Sequence, residues 1–195
     1  MNAIDHFIQA ILRPAGCGEN STVAFFKENF KSIFLKKGDF IISAGDMDYK
    51  LFFVHSGLIR IYLDTPNGEQ FTRTFIKEGQ VSAETTYFWQ KKPIPVSAQA
   101  LEDCEILYCD YAQYDALSET NMDFAKLMIA EFKQYKIRHQ TRELLLQSLT
   151  VEEYYKRIKL DFPDIEKRIK QCHLASYLGV SEVTLSRIKK KLAAS

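Results

Sequence analysis

The most informative part of the sequence reads Gln171-Cys172-His173-Leu174-Ala175-Ser176-Tyr177-Leu178-Gly179-Val180-Ser181-Glu182-Val183-Thr184-Leu185-Ser186-Arg187-Ile188-Lys189-Lys190. Gly179 can end a helix because glycine tolerates the left-handed conformation found there. Ala175 is small enough for a close contact between two helices, and Ser181 can cap a second helix. The apolar positions that would fill a shared core are Leu174, Leu178, Val180, Leu185 and Ile188. The pattern predicts a helix-turn-helix, and a generic helical hairpin is the alternative.

The second predicted helix carries polar side chains that could reach base edges and phosphates. The predicted DNA-binding residues are Ser181, Glu182, Thr184, Ser186, Arg187, Lys189, Lys190 and Lys191. Arg187 is assigned to a base, because arginine on guanine is the commonest specific contact. The three lysines are assigned to phosphates. Glu182 either contributes to selectivity, by excluding some bases or by accepting a hydrogen bond from cytosine, or only stabilises the helix N-terminus.

The charge is distributed unevenly along the chain. Residues 165–195 hold 7 Lys and Arg against 2 Asp and Glu, whereas residues 1–118 hold 11 against 15. A basic end on an acidic body predicts contact with a polyanion. A solvated basic helix face is the alternative.

A long helix is predicted over residues 119–149, since neither Pro nor Gly occurs between Pro95 and Pro163. Its candidate contact positions advance by alternating steps of three and four, as in a coiled coil. The predicted dimer seam consists of Ala125, Met128, Phe132, Tyr135, His139 and Leu146, with Arg142 and Leu149 at the same spacing. The sequence therefore predicts a homodimer. The alternative is an ordinary amphipathic helix packed on its own chain.

Residues 31–110 have the composition of short strands separated by turns. Turn signals recur at Gly38-Asp39, Gly45-Asp46, Ser56-Gly57, Asn67-Gly68 and Gly79. Asn-Gly between two alternating apolar segments, residues 59–63 and 71–75, predicts a β-hairpin. Regular short strands of this kind predict a barrel, sandwich or roll. Helical segments are expected before it, over residues 1–30, with a break at Pro14, Gly16 and Gly18.

Composition and motif searches exclude several classes of protein. With 195 residues and 46% apolar content, the chain has room for one or two domains. No segment is apolar for long enough to span a membrane, the N-terminus is unlike a signal peptide, and the four cysteines are scattered. A cytoplasmic protein is expected. No common catalytic or metal-binding motif occurs, so neither an enzyme, a metal site nor a cofactor is predicted.

Taken together, these features resemble the catabolite activator/fumarate-nitrate regulator (Crp/Fnr) family of bacterial transcription factors. The matching segments are Lys37-Gly38-Asp39, Gly45-Asp46, Ser56-Gly57, Leu101-Glu102-Asp103 and Leu185-Ser186-Arg187-Ile188. The resemblance covers roughly residues 20–195. It implies an α+β chain with a β-roll sensor domain related to cyclic-nucleotide-binding domains (1–118), a dimerisation helix (119–149) and a helix-turn-helix domain (150–195).

The resemblance also implies the partners. A homodimer would bind a pseudo-palindromic site in double-stranded DNA, RNA polymerase would be a further partner, and the small-molecule effector is not identified. The family's usual Arg-Glu pair in the reading helix is replaced by Glu182-Val183, so the target sequence does not carry over. No β-hairpin wing is expected after the reading helix. The alternative function is a ligand-binding or protein-interaction module whose helical C-terminus does not bind DNA.

The sensor domain departs from the family pattern where cyclic-nucleotide binders hold the phosphate. Here Val96 stands at the position of the usual arginine, which leaves Glu84 without its cation. We therefore expect that cyclic AMP is not bound in the usual way, although Arg60 or Arg73 could reach in from other strands. The expected effector pocket consists of Ala83, Glu84, Val96, Ser97, Ala98, Arg60 and Arg73. The expected apolar lining of the roll includes Phe53, Ile61, Phe75 and Val96.

Overall fold

The computed structural model describes residues 1–17 and 20–193. The N-terminal segment forms α1 (Ala3–Phe7), a π-helical turn (Ile8–Leu12) and α2 (Asn20–Asn29). The strands are β1 (Lys31–Leu35), β2 (Phe40–Ile42), β3 (Lys50–Ser56), β4 (Ile59–Asp64), β5 (Gln70–Ile76), β6 (Val81–Ser82), β7 (Ser97–Ala100) and β8 (Cys104–Asp110). The later helices are α3 (Thr85–Gln90), α4 (Tyr111–Thr120), α5 (Met122–Ser148), α6 (Val151–Asp161), α7 (Ile165–Arg168), α8 (Gln171–Leu178) and α9 (Glu182–Ala193).

In the described ranges, the eight strands form two antiparallel four-stranded sheets, in the orders β1-β8-β3-β6 and β2-β7-β4-β5. Their facing sides enclose an apolar core that includes Phe52, Val54, Ile61, Val96 and Ile106. The predicted β-roll is confirmed. The predicted hairpin is also confirmed, as β4 and β5 pair from Ile59–Ile76 to Asp64–Gln70 around the Asn67-Gly68 turn.

Gly57 is required by the close approach of two loops. Its φ angle is +94°, and a Cβ there would lie 2.4 Å from Cys104 Sγ and 2.7 Å from the Asp103 carbonyl oxygen. Any larger residue would push these segments apart. The Gly57 amide also donates a hydrogen bond to the Glu78 carboxylate at 3.1 Å.

Two of the four expected interior residues lie elsewhere. Ile61 and Val96 face the roll interior, but Phe53 packs under the N-terminal helices against Phe7. Phe75 packs under the C-terminal helices. The reason is that these strands are covered on both faces, so their apolar side chains do not distinguish inside from outside.

A third apolar cluster joins the roll to the C-terminal helices. The roll contributes Leu58, Phe75 and Leu101. The helices contribute Tyr154, Tyr155, Ile158, Ile165, Ile169, Leu174, Ala175, Leu178 and Leu185. Burial of side chains of this size stabilises such a contact by about 1.5–3 kcal/mol each. The helical unit is therefore docked on the second sheet.

Helix α5 runs along the molecule for 27 residues. Asn121 caps it, because the Asn121 side chain accepts a hydrogen bond from the Asp123 amide at 2.9 Å. Phe124 and Leu127 are buried against the chain's own body, and most of the C-terminal half of the helix is exposed. None of the helices in the described ranges is both long and apolar enough to cross a membrane.

Candidate nucleic-acid interface

Helices α8 and α9 are joined by a tight turn at Gly179. This residue has φ of +72°, in the left-handed region, and its amide donates to the Ser176 carbonyl at 3.2 Å. The next amide, that of Val180, donates to the Ala175 carbonyl at 3.0 Å. Together these bonds close the C-terminus of α8, as a glycine at this position allows.

The second helix starts where the sequence indicates. The Ser181 hydroxyl accepts a hydrogen bond from the Thr184 amide at 3.1 Å, so Ser181 caps α9. Leu174, Ala175, Leu178 and Leu185 are buried between the helices and the roll. The element order, the turn and the packing are those of a helix-turn-helix.

One face of α9 points away from the rest of the chain. Glu182, Thr184, Arg187 and Lys190 are exposed, while Ser186 is half-buried. The structure assigns no hydrogen bond or ion pair to the Arg187 and Lys190 side chains among the described residues. Both cations are therefore available to an anionic partner.

Val183 lies on the same exposed face, although it is not among the predicted DNA-binding residues. Its side chain is 60% exposed at the first turn of α9. An apolar group at this place can contact a thymine methyl in the major groove. Its position in the sequence could have identified it, because both of its neighbours, Glu182 and Thr184, are predicted DNA-binding residues.

Two of the predicted phosphate-binding lysines have intramolecular partners. The Lys189 ammonium lies 2.5 Å from Glu166, and the Lys191 ammonium lies 2.7 Å from Glu152. The hydrogen bond from Lys191 contributes to lowering the pKa of Glu152. These pairs bind α9 to α6 and α7, so only Lys190 of the three lysines matches the assigned role without rearrangement.

The predicted dimer seam divides into two parts on α5. Ala125, Met128 and Phe132 are half-buried, and Phe132 packs on Trp89 with ring centroids 5.6 Å apart. Tyr135, His139 and Leu146 are exposed. A second row of exposed apolar residues, on a different side of α5, consists of Met122, Ile129, Ile137 and Leu144.

Arg142 and Leu149, which share the seam spacing, face the C-terminal helices. The Arg142 guanidinium donates to the Tyr177 carbonyl at 3.0 Å and lies 4.4 Å from the Tyr177 ring centroid. Leu149 packs against the third apolar cluster. The C-terminal end of α5 thus contacts the helix-turn-helix of its own chain.

The expected effector pocket holds an ion pair that the sequence reasoning did not assign. Arg73 Nη1 donates to Glu84 Oε2 at 3.0 Å, and Arg73 Nη2 donates to Glu84 Oε1. Glu84 is only 6% exposed. Burial disfavours the charged guanidinium, but the bonds to Glu84 outweigh this effect and raise the Arg73 pKa. The expectation that Glu84 lacks a cation was wrong, because β5 supplies Arg73.

Apart from Arg60, the remaining residues of the expected pocket contribute no cation. Val96 and Ala98 belong to the roll core, and Ala83 packs against the N-terminal cluster. The Ser97 hydroxyl accepts a hydrogen bond from the Ala44 amide at 3.1 Å. Among the described residues, no three His, Cys, Asp or Glu side chains lie close enough together to hold a metal ion.

Arg60 lies outside the roll, contrary to the suggestion that it could reach inward. Its neighbours in β4, Ile59 and Ile61, fill the interior, so Arg60 takes the opposite face. Its Nε donates to Thr72 Oγ1 and its Nη1 donates to Gln70 Oε1, both at 2.8 Å. The backbone of Thr72 and Gln70 also bonds Ser176 of α8, which places Arg60 beside that helix. Burial, together with the charges of Arg60 and Lys170, lowers the pKa of His173.

Polar contacts hold the helix-turn-helix on the roll. The Ser176 hydroxyl donates to the Gln70 carbonyl at 2.7 Å and accepts from the Thr72 amide at 2.8 Å. Arg168 Nη2 lies 2.6 Å from Glu78 and 2.5 Å from Glu102. Although burial opposes ionisation, the hydrogen bond from Arg168 and others hold the pKa of Glu78 below its usual value.

Comparisons with known proteins agree with this architecture. Residues 32–121 match the cyclic nucleotide-binding domain family. The transcriptional activator protein Anr of Pseudomonas aeruginosa is 27% identical over 168 residues, which cover 79% of this chain and 67% of Anr.

Two solved structures share the fold. One is CLP, a c-di-GMP-responsive global regulator of Xanthomonas campestris, with a TM-score of 0.71, 19% identity, and coverage of 90% of this chain and 92% of CLP. The other is FixK2 of Bradyrhizobium japonicum, with a TM-score of 0.68, 17% identity and 85% coverage of both chains. The chain therefore contains a segment of the cyclic nucleotide-binding domain family and shares the overall fold of these two regulators, as its resemblance to the Crp/Fnr family implies.

Proposed function

We propose that this regulator binds specific double-stranded DNA as a homodimer and reads the sequence with α9. The observation that carries the proposal is the outward face of α9, where Arg187 and Lys190 are exposed. An arginine one turn into a reading helix suits bidentate contact with guanine, and a lysine nearby suits a phosphate. The opposite, apolar face of α9 is used for packing, which leaves this face available for DNA.

The proposed dimer pairs two copies of α5 through the seam around Tyr135, His139 and Leu146. A large aromatic side chain that is 54% exposed, such as Tyr135, gains free energy when a second helix covers it. Two-fold symmetry would present two α9 helices to the same DNA face. The preferred sites are then pseudo-palindromes with half-sites about 10 base pairs apart, or a multiple of that spacing.

The proposed sensor does not bind cyclic AMP in the way that its family relatives do. A phosphate in the roll would need a cation and free donors to replace water. Val96 supplies neither, and Arg73 already donates to Glu84. We therefore propose either a different effector or control without one.

The alternative is that the helical C-terminus contacts no DNA. The pairing of Lys189 and Lys191 with carboxylates favours it, since those pairs reduce the positive charge of α9. Fluorescence anisotropy with labelled genomic fragments and random duplexes, between low and high salt, separates the two functions. We expect affinity to fall steeply with salt and some fragments to bind roughly a thousandfold more tightly than random DNA. Equal, weak binding to all duplexes would overturn the proposal.

A further inference from the structure

A crevice of about 370 Å³ lies between the roll and the helix-turn-helix. One wall comes from the turn Lys37–Gly38 and the strand end at residues 99–101, and the other comes from residues 168–170 with His173. Its volume is in the range of small-molecule sites. It is separate from the expected effector pocket around Glu84.

The charge of this crevice is positive and incompletely neutralised. The structure gives the Lys37 and Lys170 ammonium groups no partner among the described residues. Among the described residues, no Asp or Glu lines the crevice. Of the carboxylates beside it, Glu78 and Glu102 are bound to Arg168. The Asp103 carboxylate accepts hydrogen bonds from the Lys37 amide and the Lys36 ammonium.

A buried guanidinium lies on the strand next to the crevice, since Arg60 of β4 pairs in register with the lining residue Gln99 of β7. Arg60 is 1% exposed, yet its hydrogen-bond partners are the neutral side chains of Thr72 and Gln70. The Asp64 carboxylate is linked to it only through Gln70, whose amide nitrogen donates to Asp64 at 3.2 Å. A buried charge without an ionic partner is unfavourable for the folded protein, and an anion nearby would relieve it.

The pKa of His173 reflects the same positive charges. Burial, with the charges of Arg60 and Lys170, lowers its pKa to about 4, so the imidazole is neutral at pH 7. An anion bound in the crevice would favour the imidazolium, which donates from both ring nitrogens. His173 can therefore become a further donor when a ligand arrives.

We propose that this crevice binds the phosphoryl group of a small molecule. Lys37 comes from the roll, Lys170 and His173 come from the start of the helix-turn-helix, and all three line the crevice. The apolar wall of Ala100, Leu101 and Ile169 would contact the carbon skeleton of the ligand. Because the two walls belong to different units, the ligand would link the roll to the DNA-binding unit. The binding itself does not depend on the proposed function.

The test titrates the full chain with inorganic pyrophosphate and, separately, with ribose 5-phosphate. Isothermal calorimetry measures affinity, and NMR follows the imidazole of His173, with exposed His139 as an internal control. The variant pair is Lys37→Ala/Lys170→Ala. Its matched control is Lys36→Ala/Lys167→Ala, which removes the same charge from nearby lysines that pair with Asp103 and Asp164.

We expect at least one probe to bind and to raise the His173 pKa without moving His139. The crevice variant should bind that probe roughly tenfold more weakly or worse, a loss of about 1.4 kcal/mol, and the control should stay within about twofold of the wild type. Absence of binding by both probes overturns the proposal, as does equal weakening in the two variants. If the crevice variant loses affinity for DNA only, these lysines contact the phosphate backbone of DNA. That result would also overturn the proposal.

Failure of the proposed function would look different. If the wild-type chain binds the probe but no duplex specifically, the crevice stands and DNA binding falls. If specific DNA binding persists while both probes leave His173 unchanged, the DNA-binding proposal stands and the crevice proposal fails.

Discussion

The Arg73 guanidinium on β5 donates to both carboxylate oxygens of Glu84, at the start of α3. Glu84 is thereby neutralised in the β-roll by a residue eleven positions earlier in the chain. Ion pairs of this bidentate form are the stronger kind of charge-assisted contact. A ligand phosphate would have to break this pair to obtain the cation.

For that reason we predict no micromolar binding of cyclic AMP or cyclic GMP to the wild-type chain in titration calorimetry. Breaking the pair leaves Glu84 buried and uncompensated, which costs more than a single new contact returns. Micromolar binding that disappears in Arg73→Ala would contradict this prediction. Micromolar binding that survives both Arg60→Ala and Arg73→Ala would contradict it as well and would place the phosphate site elsewhere.

Two exposed cations of α9 should affect DNA binding differently. Arg187→Ala should cost roughly 1–3 kcal/mol and relax base preference at one position of the site. Lys190→Ala should weaken all sequences alike and reduce the slope of log affinity against log salt by about one. Binding-site selection and salt titrations on both variants provide the measurement. Equal, sequence-independent losses in the two variants would refute this division of roles.

The dimer seam is testable by comparing two exposed rows of α5. Leu146→Glu combined with Tyr135→Glu should shift the chain toward monomer in sedimentation velocity, because charges replace apolar groups under the second helix. Ile137→Glu combined with Leu144→Glu carries the same charge change on the other row and should leave the dimer intact. A reversed result would move the interface to the Met122, Ile129, Ile137 and Leu144 row.

Glu131 should make stability depend on pH. Tyr114 donates to one carboxylate oxygen at 3.2 Å, the other has no partner, and burial raises the Glu131 pKa to about 7. The folded state therefore binds more protons than the unfolded state between the ordinary pKa and pH 7, so stability falls as pH rises through that window. The loss is on the order of 3 kcal/mol, at about 1.4 kcal/mol per pKa unit.

Urea unfolding at fixed protein concentration, between pH 5 and pH 8, measures this dependence. Glu131→Gln should remove the decline and be more stable than the wild type at pH 8. Glu143→Gln, at an exposed position of the same helix, is the matched control and should keep the wild-type profile. Parallel curves for wild type and Glu131→Gln would show that the carboxylate does not titrate in this range.

Local signals in the sequence were sufficient to predict the hairpin and the two C-terminal helices with their tight turn. Asn67-Gly68 favours a tight turn between two alternating segments, and Gly179 with Ala175 favours a close helix-turn-helix contact between α8 and α9. These features depend on residues close together in the chain. That is why they could be predicted before any tertiary contact was known.

Long-range pairing could not be predicted in the same way. The contact between Arg73 and Glu84 depends on how β5 meets α3, and no spacing rule encodes it. The side of the sheet on which Arg60 lies could not be predicted. The alternation of side chains along one strand does not reveal which face of the sheet a later helix covers. Likewise, the heptad pattern of α5 is the same whether its residues contact a partner helix or, like Phe132 on Trp89, their own chain.

Selection of bound duplexes from a random pool by this chain measures whether it reads DNA as a symmetric dimer. Sequencing the enriched pool should return an inverted repeat with half-site centres about 10 base pairs apart, or a multiple of that spacing. The same pool challenged with Arg187→Ala should lose information at one symmetric pair of positions. A pool that stays random after repeated rounds, or one enriched in a single unsymmetrical motif, would show that the chain does not read DNA as a symmetric dimer.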